Sequence, residues 1–327
     1  MFTCLKVKRH EDEGDQKCFI KNGGVLLEEV IALRNGRSNP ICHFSAKELM
    51  RATNNYDARQ IFVQDLGYTL YKGSLRDRPI LVKKYDSRWR FLETAPYKDI
   101  AFGSQMSVHK NVLKVIGCCL ETELPITVYE FAGTKILSAC ISATNDEPLP
   151  WKCRLKIAIG IASAVAYLHT AFSRPVIHRD IKCSNILLDQ NNVPKLIDFW
   201  LCISIPEGES HVIADLAAWR TVNLTPEYRN RGYLTEKVDV YQFGLLLIEL
   251  SRGQDFVPFW REHNIRLRIE MYINAVRDRI RNEGIDQFQD FKTLILKCTS
   301  FEEEERPTMI EVVKELRLID QSFTSPS

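Results

Sequence analysis

The sequence predicts an α+β fold of two lobes, in which a small antiparallel sheet with one helix precedes a mainly helical lobe. Two stretches, 61–85 and 112–131, carry short β-branched and aromatic runs separated by turn residues, a pattern typical of antiparallel strands. From Trp151 onward, apolar residues recur at helical spacing instead. A strand-rich first part followed by helices favours the α+β class, and 327 residues with 45% hydrophobic content suit a sizeable core.

The sequence indicates where the first helix begins and ends. Residues 1–43 mix both charges with glycines and are interpreted as an arm that precedes the domain. Ser45 and Glu48 have the spacing of a capping box, so a helix is predicted to begin there. Asn54 and Asn55 are expected to end it.

Two apolar periodicities predict long helices in the second lobe. One face is formed by Leu155, Ile159, Ala162, Val165, Ala166 and His169, and a second by Ile265, Ile269, Tyr272, Ile273, Val276 and Ile280. Both sets follow the spacing of a buried helix face.

Charge and cysteine usage exclude several classes of protein. Lys and Arg total 44 against 42 Asp and Glu, which gives no electrostatic case for nucleic acid. Ten cysteines include no CxxC pair, so they are interpreted as reduced thiols of a cytoplasmic protein. No apolar run reaches the length of a transmembrane segment. Phe2 excludes the myristoylation motif, while palmitoylation of Cys4, and with it a peripheral association with the plasma membrane, stays open.

The segment 176–200, VIHRDIKCSNILLDQNNVPKLIDFW, contains the polar groups that phosphoryl transfer requires. In the HRD pattern Asp180 is the predicted base, and Lys182 is placed to neutralise the transferred phosphate. Asn185 and Asp198 are the predicted Mg²⁺ ligands. A lysine two residues after the aspartate is typical of serine/threonine specificity.

The residues for nucleotide binding are less complete. The run ILVKKY places Lys83 where a phosphate-binding lysine is expected. Leu81 stands where a small residue usually leaves room for adenine, so its bulk shrinks that slot. The predicted nucleotide contacts are Lys83, Leu70, Leu81, Glu130, Phe131, Leu187 and Asp198.

The loop that would cover the phosphates has lost its glycines. Counting back from Leu70, the three glycine positions of GxGxxG hold Val63, Asp65 and Tyr68, and Gly67 lies nearby but off register. Glycine lets backbone amides close over phosphates, and the charge of Asp65 opposes them. These substitutions predict weakened ATP binding.

The acidic partner of Lys83 depends on the register of the following helix. Ungapped counting back from His109 places Ile100 at that position, whereas a gap of one residue places Asp99 there. Aspartate is one methylene shorter than the usual glutamate but can still form the ion pair, and isoleucine cannot. Both alternatives stay open at the level of sequence.

The segment after the catalytic loop is altered, whereas the scaffold around it is kept. Trp200 replaces the glycine that normally follows Asp198 and a phenylalanine, and its indole must displace a neighbour. The substrate-docking segment is replaced at Trp219, Arg220, Val222, Asn223 and Thr225. Glu227 and Arg306 are expected to form a buried ion pair, and Asp239 to hold the catalytic-loop backbone. Losses at the contacts with nucleotide and substrate favour a fold kept for binding.

These motifs resemble those of plant receptor-like cytoplasmic kinases near the wall-associated kinases. The spans FIKNGGVLLEE, FSAKELMRATNNYD, HKNVLKVIGCCLE and RPTMIEVVKEL add to the match, and DFWLCISIPEGESHV is most similar to the HopZ-ETI-deficient-related pseudokinases of plant immunity. The resemblance implies a bilobal protein-kinase-like domain at 44–317, with lobes at about 56–131 and 135–317. The arm at 1–43 would precede it and a tail at 318–327 would follow.

The same resemblance implies partners and cofactors. Members of that family act as adaptors bound to a coiled-coil NLR immune receptor and detect pathogen effectors or the kinases that effectors modify. The expected partners are therefore an NLR receptor and either an effector or an effector-modified kinase, without nucleic acid. ATP and Mg²⁺ are the implied cofactors, although the degenerate motifs oppose their binding.

Three functions compete for this sequence. A pseudokinase adaptor would use its surface, whereas a slow serine/threonine kinase would use the retained polar groups. A scaffold with neither role is the third. Trp89 fits an interface anchor or an ordinary surface residue, and Ser204, Ser210 and Thr221 fit either acceptors of phosphate or acyl groups or ordinary loop hydroxyls.

Overall fold

The computed structural model describes residues 13–34, 41–65, 67–88, 93–132, 135–142, 149–213, 225, 227–228, 232–252 and 288–322. The chain forms two compact units, one of Met1–Gln105 with Lys114–Phe131 and one of Met106–Leu113 with Ala132–Ser327. A sheet dominates the first unit and helices dominate the second. The α+β class predicted from the sequence is confirmed.

The first unit contains a six-stranded sheet. Its elements are α1 (Glu13–Arg34), β1 (Cys42–His43), α2 (Ala46–Ala52), β2 (Ile61–Asp65), β3 (Tyr68–Leu75), β4 (Arg78–Tyr85), α3 (Ala95–Met106), β5 (Val115–Cys119) and β6 (Ile126–Glu130). The strand order is β1-β5-β6-β4-β3-β2, with only the β1–β5 pair parallel. The strands predicted in 61–85 and 112–131 are therefore confirmed.

One face of the sheet packs against α2. Leu49 of α2 joins Ile80 and Val82 of β4 in a buried cluster, and Phe44 packs against it. Each such apolar side chain contributes about 1.5–3 kcal/mol when fully buried. Because side chains alternate along a strand, Lys83 points to the opposite face of the sheet.

The predicted capping box at the start of α2 is confirmed. Ser45 Oγ accepts a hydrogen bond from the Glu48 amide at 3.3 Å, and the Glu48 carboxylate accepts one from the Ser45 amide at 2.9 Å. The helix ends at Ala52, after which Asn54 and Asn55 have φ values of 50° and 58°. Asparagine tolerates this left-handed conformation because its side chain can form local hydrogen bonds.

The sequence analysis did not predict α1, which forms inside the expected N-terminal arm. Gly23 and Gly24 lie within this 22-residue helix, although each glycine costs up to about 1 kcal/mol in a helix interior. Asn22 and Leu26 are both buried, at 1% and 8% exposure. Tertiary contacts on this face therefore offset the weak helix propensity.

The second unit is mainly helical. Its elements are β7 (Lys135–Ile136), α4 (Leu137–Ser142), α5 (Trp151–Thr170), β8 (Val176–Ile177), β9 (Ile186–Leu188), β10 (Pro194–Leu196), β11 (Ile203–Ser204), β12 (Val212–Ile213), β13 (Tyr233–Leu234), α6 (Lys237–Arg252), α7 (Phe288–Cys298) and α8 (Met309–Ser322). Short sheets of order β10-β9-β7, β11-β8 and β12-β13 accompany them. The helix predicted from Trp151 is confirmed as α5, whereas the one predicted at 265–280 lies outside the described residues.

Within the described ranges, no helix is long and apolar enough to cross a membrane. The nine cysteines of this part of the chain form no disulfide with one another. Burial raises the pKa of Cys118, Cys119 and Cys298 to about 12 in each case. These thiols are therefore protonated at neutral pH, and we expect them to act as core residues.

Candidate active site

The second face of the sheet collects the predicted lysine and the residues around it. In the antiparallel register Tyr68 lies opposite Tyr85, Leu70 opposite Lys83, and Leu81 opposite Tyr129. Directly opposed residues share a face, so these six side chains form one surface, here called the lysine face. All six are buried, with exposures of 5% or less.

Lys83 forms an ion pair with Asp99 on this face. The Nζ–Oδ2 distance is 3.0 Å, and the two side chains are 3% and 0% exposed. Tyr129 donates its hydroxyl to the same carboxylate oxygen at 2.7 Å. Of the two registers that the sequence left open, the structure selects Asp99. Ile100 instead points into the apolar core, with 0% exposure.

Two aromatic rings cover the Lys83 ammonium. The Tyr68 ring centroid lies 4.2 Å from Nζ and the Tyr85 centroid 4.9 Å, both within the range of a cation–π contact. With the Asp99 carboxylate as a third neighbour, a buried charge that would otherwise be costly is compensated. Lys83 is thus stabilised by this chain's own groups, without an external anion.

Tyr68 reaches this position because of the β2–β3 hairpin. Asp65 pairs with Tyr68 across the hairpin, so residues 66 and 67 alone separate the two strands. Gly67 has a φ of 87°, which glycine adopts readily. The one retained glycine therefore makes the turn, while the third glycine position carries a ring over the lysine.

The remaining predicted nucleotide contacts are dispersed over both units. In the first, Leu70 and Leu81 are 1% and 0% exposed, Glu130 ends β6, and Phe131 follows it. Leu187 lies in β9 of the second unit and is fully buried. Their role as nucleotide contacts stays a prediction.

In the second unit the predicted catalytic residues lie together. Lys182 Nζ is 2.8 Å from Asp180 Oδ2, and the Asn185 amide donates to the Asp180 carboxylate and to its backbone carbonyl, each at 2.9 Å. Burial raises the pKa of Asp180, against the opposing charge of Lys182. A raised pKa makes the carboxylate a stronger proton acceptor when ionised, as a general base requires.

The amide of Asn185 is arranged so that its oxygen is available. Both bonds described above use Nδ2, and Oδ1 is buried without a hydrogen-bond partner among the residues that the structure describes. An amide oxygen is a suitable ligand for Mg²⁺. Asn185 therefore fits the metal-ligand role predicted for it, and the same role for Asp198 stays a prediction. Lys83 fits a triphosphate poorly, because the Tyr68 and Tyr85 rings cover its ammonium in addition to the ion pair with Asp99.

Asp239 holds the backbone of the catalytic loop, as the sequence predicted. Its carboxylate accepts the amides of His178 and Arg179, both at 2.8 Å, and lies 2.8 Å from His169 Nε2. Arg179 has a φ of 74°, a conformation that costs a non-glycine residue about 1–2 kcal/mol. Burial raises the pKa of Asp239, but these hydrogen bonds and the nearby histidines lower it overall. The ionised carboxylate offsets the backbone strain.

The predicted ion pair of the second unit is also confirmed. Arg306 donates to both carboxylate oxygens of Glu227, at 2.7 and 2.9 Å, and its guanidinium is fully buried. Burial raises the pKa of Glu227, but the bonds from Arg306 and Thr225 outweigh it and lower the pKa. This bidentate geometry is the strong form of an arginine–carboxylate contact.

The backbone at Trp200 does not adopt a conformation that requires glycine. It lies in a short 3₁₀ turn, Phe199–Leu201, and is 7% exposed. The left-handed residue is Asp198, with a φ of 77°. The chain therefore turns at Asp198, and the indole is taken into the core.

Several predicted positions lie outside the described residues. They are Cys4, Trp89, Trp219, Arg220, Thr221, Val222 and Asn223. Ser204 is half-buried in β11, and Ser210 is exposed with its hydroxyl 3.2 Å from His211 Nδ1.

The sequence analysis missed Tyr85 and Tyr129 as site residues. For Tyr85 the signal was the alternation of strand positions, because it follows Lys83 by two residues and therefore shares its face. Tyr129 had no such local signal, because it reaches this face only through the pairing of β4 with β6.

Comparison with known proteins identifies the family. The model of the family described as "Protein tyrosine and serine/threonine kinase" matches residues 67–316. ZED1 of Arabidopsis thaliana, described as a non-functional pseudokinase, is 39% identical over 322 residues, covering 92% of this chain and 96% of ZED1. The serine/threonine-protein kinase ZRK1 of the same plant is 34% identical, covering 98% and 97%.

A third relative links the chain to receptor kinases. Wall-associated receptor kinase 2 of Arabidopsis thaliana is 36% identical over 332 residues, covering 97% of this chain but 45% of that receptor. The resemblance and the bilobal kinase-like fold predicted from the sequence are confirmed. The chain belongs to the protein tyrosine and serine/threonine kinase family, in the plant group that includes ZED1, ZRK1 and the wall-associated receptor kinases.

Proposed function

We propose that this protein is a plant immune pseudokinase with little or no phosphotransfer. It would act as an adaptor that links an NLR receptor to the activity of a pathogen effector. The enclosure of Lys83 is the observation that carries the catalytic half of this proposal. A kinase uses this lysine to hold nucleotide phosphates while the lysine pairs with an acidic residue of the next helix. Here the Tyr68 and Tyr85 rings cover the ammonium in addition to the ion pair with Asp99.

The adaptor half of the proposal rests on family resemblance. ZED1, whose printed description is a non-functional pseudokinase, matches nearly the whole chain. An adaptor needs a stable fold and a surface, and the buried groups that hold the second unit together, Asp239 and the Glu227–Arg306 pair, are retained. The proposed site of action is the cytoplasm, with peripheral attachment at the plasma membrane as its variant.

A phosphorylation assay tests the catalytic half. The purified chain with Mg-ATP should show no autophosphorylation above that of Asp180→Asn, since this substitution removes the predicted base and keeps the side-chain size. Turnover that requires Asp180 would refute the proposal.

Affinity purification from plant tissue tests the adaptor half. Wild type and Asp180→Asn should recover the same NLR receptor in equal amounts, because the proposed interaction does not use the carboxylate. Loss of the receptor with Asp180→Asn, or recovery of phosphorylated substrates alone, would contradict an adaptor role.

A weakly active serine/threonine kinase is the second candidate. The arrangement of Asp180, Lys182 and Asn185 favours it, because Lys182 and Asn185 both contact the Asp180 carboxylate and Asn185 Oδ1 is available to a metal. ZRK1, described as a serine/threonine-protein kinase, is also a relative. A rise of the thermal unfolding midpoint with Mg-ATP, lost in Asp198→Asn, would favour this candidate.

A further inference from the structure

The buried residue Asn22 of α1 joins three parts of the first unit. Its Nδ2 donates to the backbone carbonyls of Leu120 and Thr122, both at 2.8 Å, and its Oδ1 accepts the Tyr97 hydroxyl at 2.7 Å. Leu120 and Thr122 follow β5, and Tyr97 lies in α3. The carboxamide thus uses both its donors and its acceptor, although asparagine is a poor helix former.

Loss of the hydrogen bonds of Asn22 would destabilise the fold. Asn22 is 1% and Tyr97 5% exposed, so a lost bond would leave buried polar atoms without compensation from water. Gly23 lies beside Asn22, and a Cβ there would be 4.0 Å from Leu120 Cδ1. A methyl group at Gly23 would therefore make an ordinary van der Waals contact with the segment after β5.

Helix α3, to which Asn22 is hydrogen-bonded through Tyr97, also carries Asp99, the partner of Lys83. Tyr97 and Asp99 are two residues apart on α3, so their side chains point roughly 200° apart around the helix axis. Tyr97 faces α1, while Asp99 faces Lys83 and Tyr129 on the lysine face. Helix α3 is therefore held from two sides by buried hydrogen bonds.

Helix α3 depends on these contacts because its own sequence forms helices poorly. Gly103 and Ser104 lie in its last turn, and its first turn contains no acidic residue. Such a helix gains its stability from tertiary packing rather than from propensity. A change in one of its two attachments is therefore transmitted to the other.

We propose that Asn22 is a positioning residue that couples the N-terminal helix α1 to the Lys83–Asp99 pair through Tyr97. Any contact that displaces α1 releases α3 and exposes Lys83, whereas an undisturbed α1 keeps the lysine enclosed. The coupling is independent of the adaptor role, since it involves internal contacts of the first unit alone.

Two measurements on the chain of 327 residues test this coupling. Hydrogen exchange followed by mass spectrometry reports the opening of α3, and acetylation by a water-soluble N-hydroxysuccinimide ester reports the exposure of Lys83. The variants are Asn22→Ala and Tyr97→Phe, of which the second removes one hydroxyl and keeps the ring. Lys21→Ala is the matched control, because Lys21 is the exposed neighbour of Asn22 on α1.

Both variants should accelerate exchange in α3 by about tenfold, the factor expected when a buried hydrogen bond worth about 1.4 kcal/mol is lost. Acetylation of Lys83 should rise between about twofold and thirtyfold, the range of couplings measured along such networks. Exchange in α5 should not change, and Lys21→Ala should behave as wild type.

A purely local role for Asn22 gives a different pattern. Exchange would then rise within α1 alone, with α3 and Lys83 unchanged in both variants, and this result would overturn the proposal. If Asn22→Ala also accelerates exchange in α5, that variant is generally destabilised, and the coupling is then tested with Tyr97→Phe. Unchanged Lys83 acetylation in that variant would likewise overturn the coupling.

Discussion

Replacing Tyr68 by alanine should make Lys83 accessible to the phosphates of ATP. The Tyr68 ring lies 4.2 Å from Lys83 Nζ and occupies the third glycine position of the phosphate-covering loop. Without the ring, the ammonium keeps Asp99 on one side and gains an accessible side. We therefore expect Tyr68→Ala to bind Mg-ATP where wild type does not.

The structure sets the size of the loss in stability and of the gain from ATP binding. Tyr68 is 3% exposed, and truncation of a buried aromatic residue costs roughly 3–5 kcal/mol, including a desolvated cation–π contact of about 2 kcal/mol. Domains have about 5–15 kcal/mol of stability, so the variant should fold with a lower unfolding midpoint. Binding of ATP at 100 times its Kd would then stabilise the folded variant by about 2.7 kcal/mol.

A thermal shift assay with saturating Mg-ATP measures the stabilisation by bound ATP. For domains of 150–250 residues, 1 kcal/mol corresponds to about 2–4 °C, so the midpoint of Tyr68→Ala should rise by about 5–11 °C. Tyr68→Phe is the matched control, because it keeps the ring over Lys83 and should show no shift. Adding Lys83→Ala to Tyr68→Ala should abolish the response.

Two results would refute the reasoning. An equal shift in wild type and Tyr68→Phe would mean that the ring does not exclude nucleotide. A folded Tyr68→Ala protein without any shift would mean that other residues, such as Leu81 or Asp65, prevent binding.

Three further substitutions test the scaffold. Arg306→Ala should lower the free energy of unfolding in urea by about 3–5 kcal/mol, because it leaves Glu227 buried without its partner; a change below 1 kcal/mol would contradict a structural role. The pKa of Glu227 is lowered in the folded state, so its charge stabilises the fold above its unfolded pKa, about 4.3, and this contribution is lost as the pH falls. The stability difference between wild type and Glu227→Gln, from urea titrations, should therefore shrink below about pH 4, and a constant difference would argue against this linkage. Ser45→Ala should cost about 1 kcal/mol through loss of the α2 cap, measured by thermal circular dichroism, and Ser210→Ala, on an exposed loop, should cost less.

Much of the fold was predictable because it follows from local chemistry. The strands of the sheet, α5 and the capping box at Ser45 all follow from residue spacing within a few positions of the chain. Helix α1 was missed because its glycines oppose a helix, and its stability comes from Asn22 bonding to residues about a hundred positions away. Local propensity does not contain contacts of that range.

The motifs already show which polar groups this chain retains: Asp180, Lys182 and Asn185 remain, while the glycines of the phosphate-covering loop are gone. The tertiary structure alone decided what surrounds Lys83, since the pairing of β3, β4 and β6 and the register of α3 bring Tyr68, Tyr85, Tyr129 and Asp99 onto it. The physical reason is that a motif fixes the type of each residue, whereas the burial and neighbours of an ammonium depend on side chains that meet only after the strands pair.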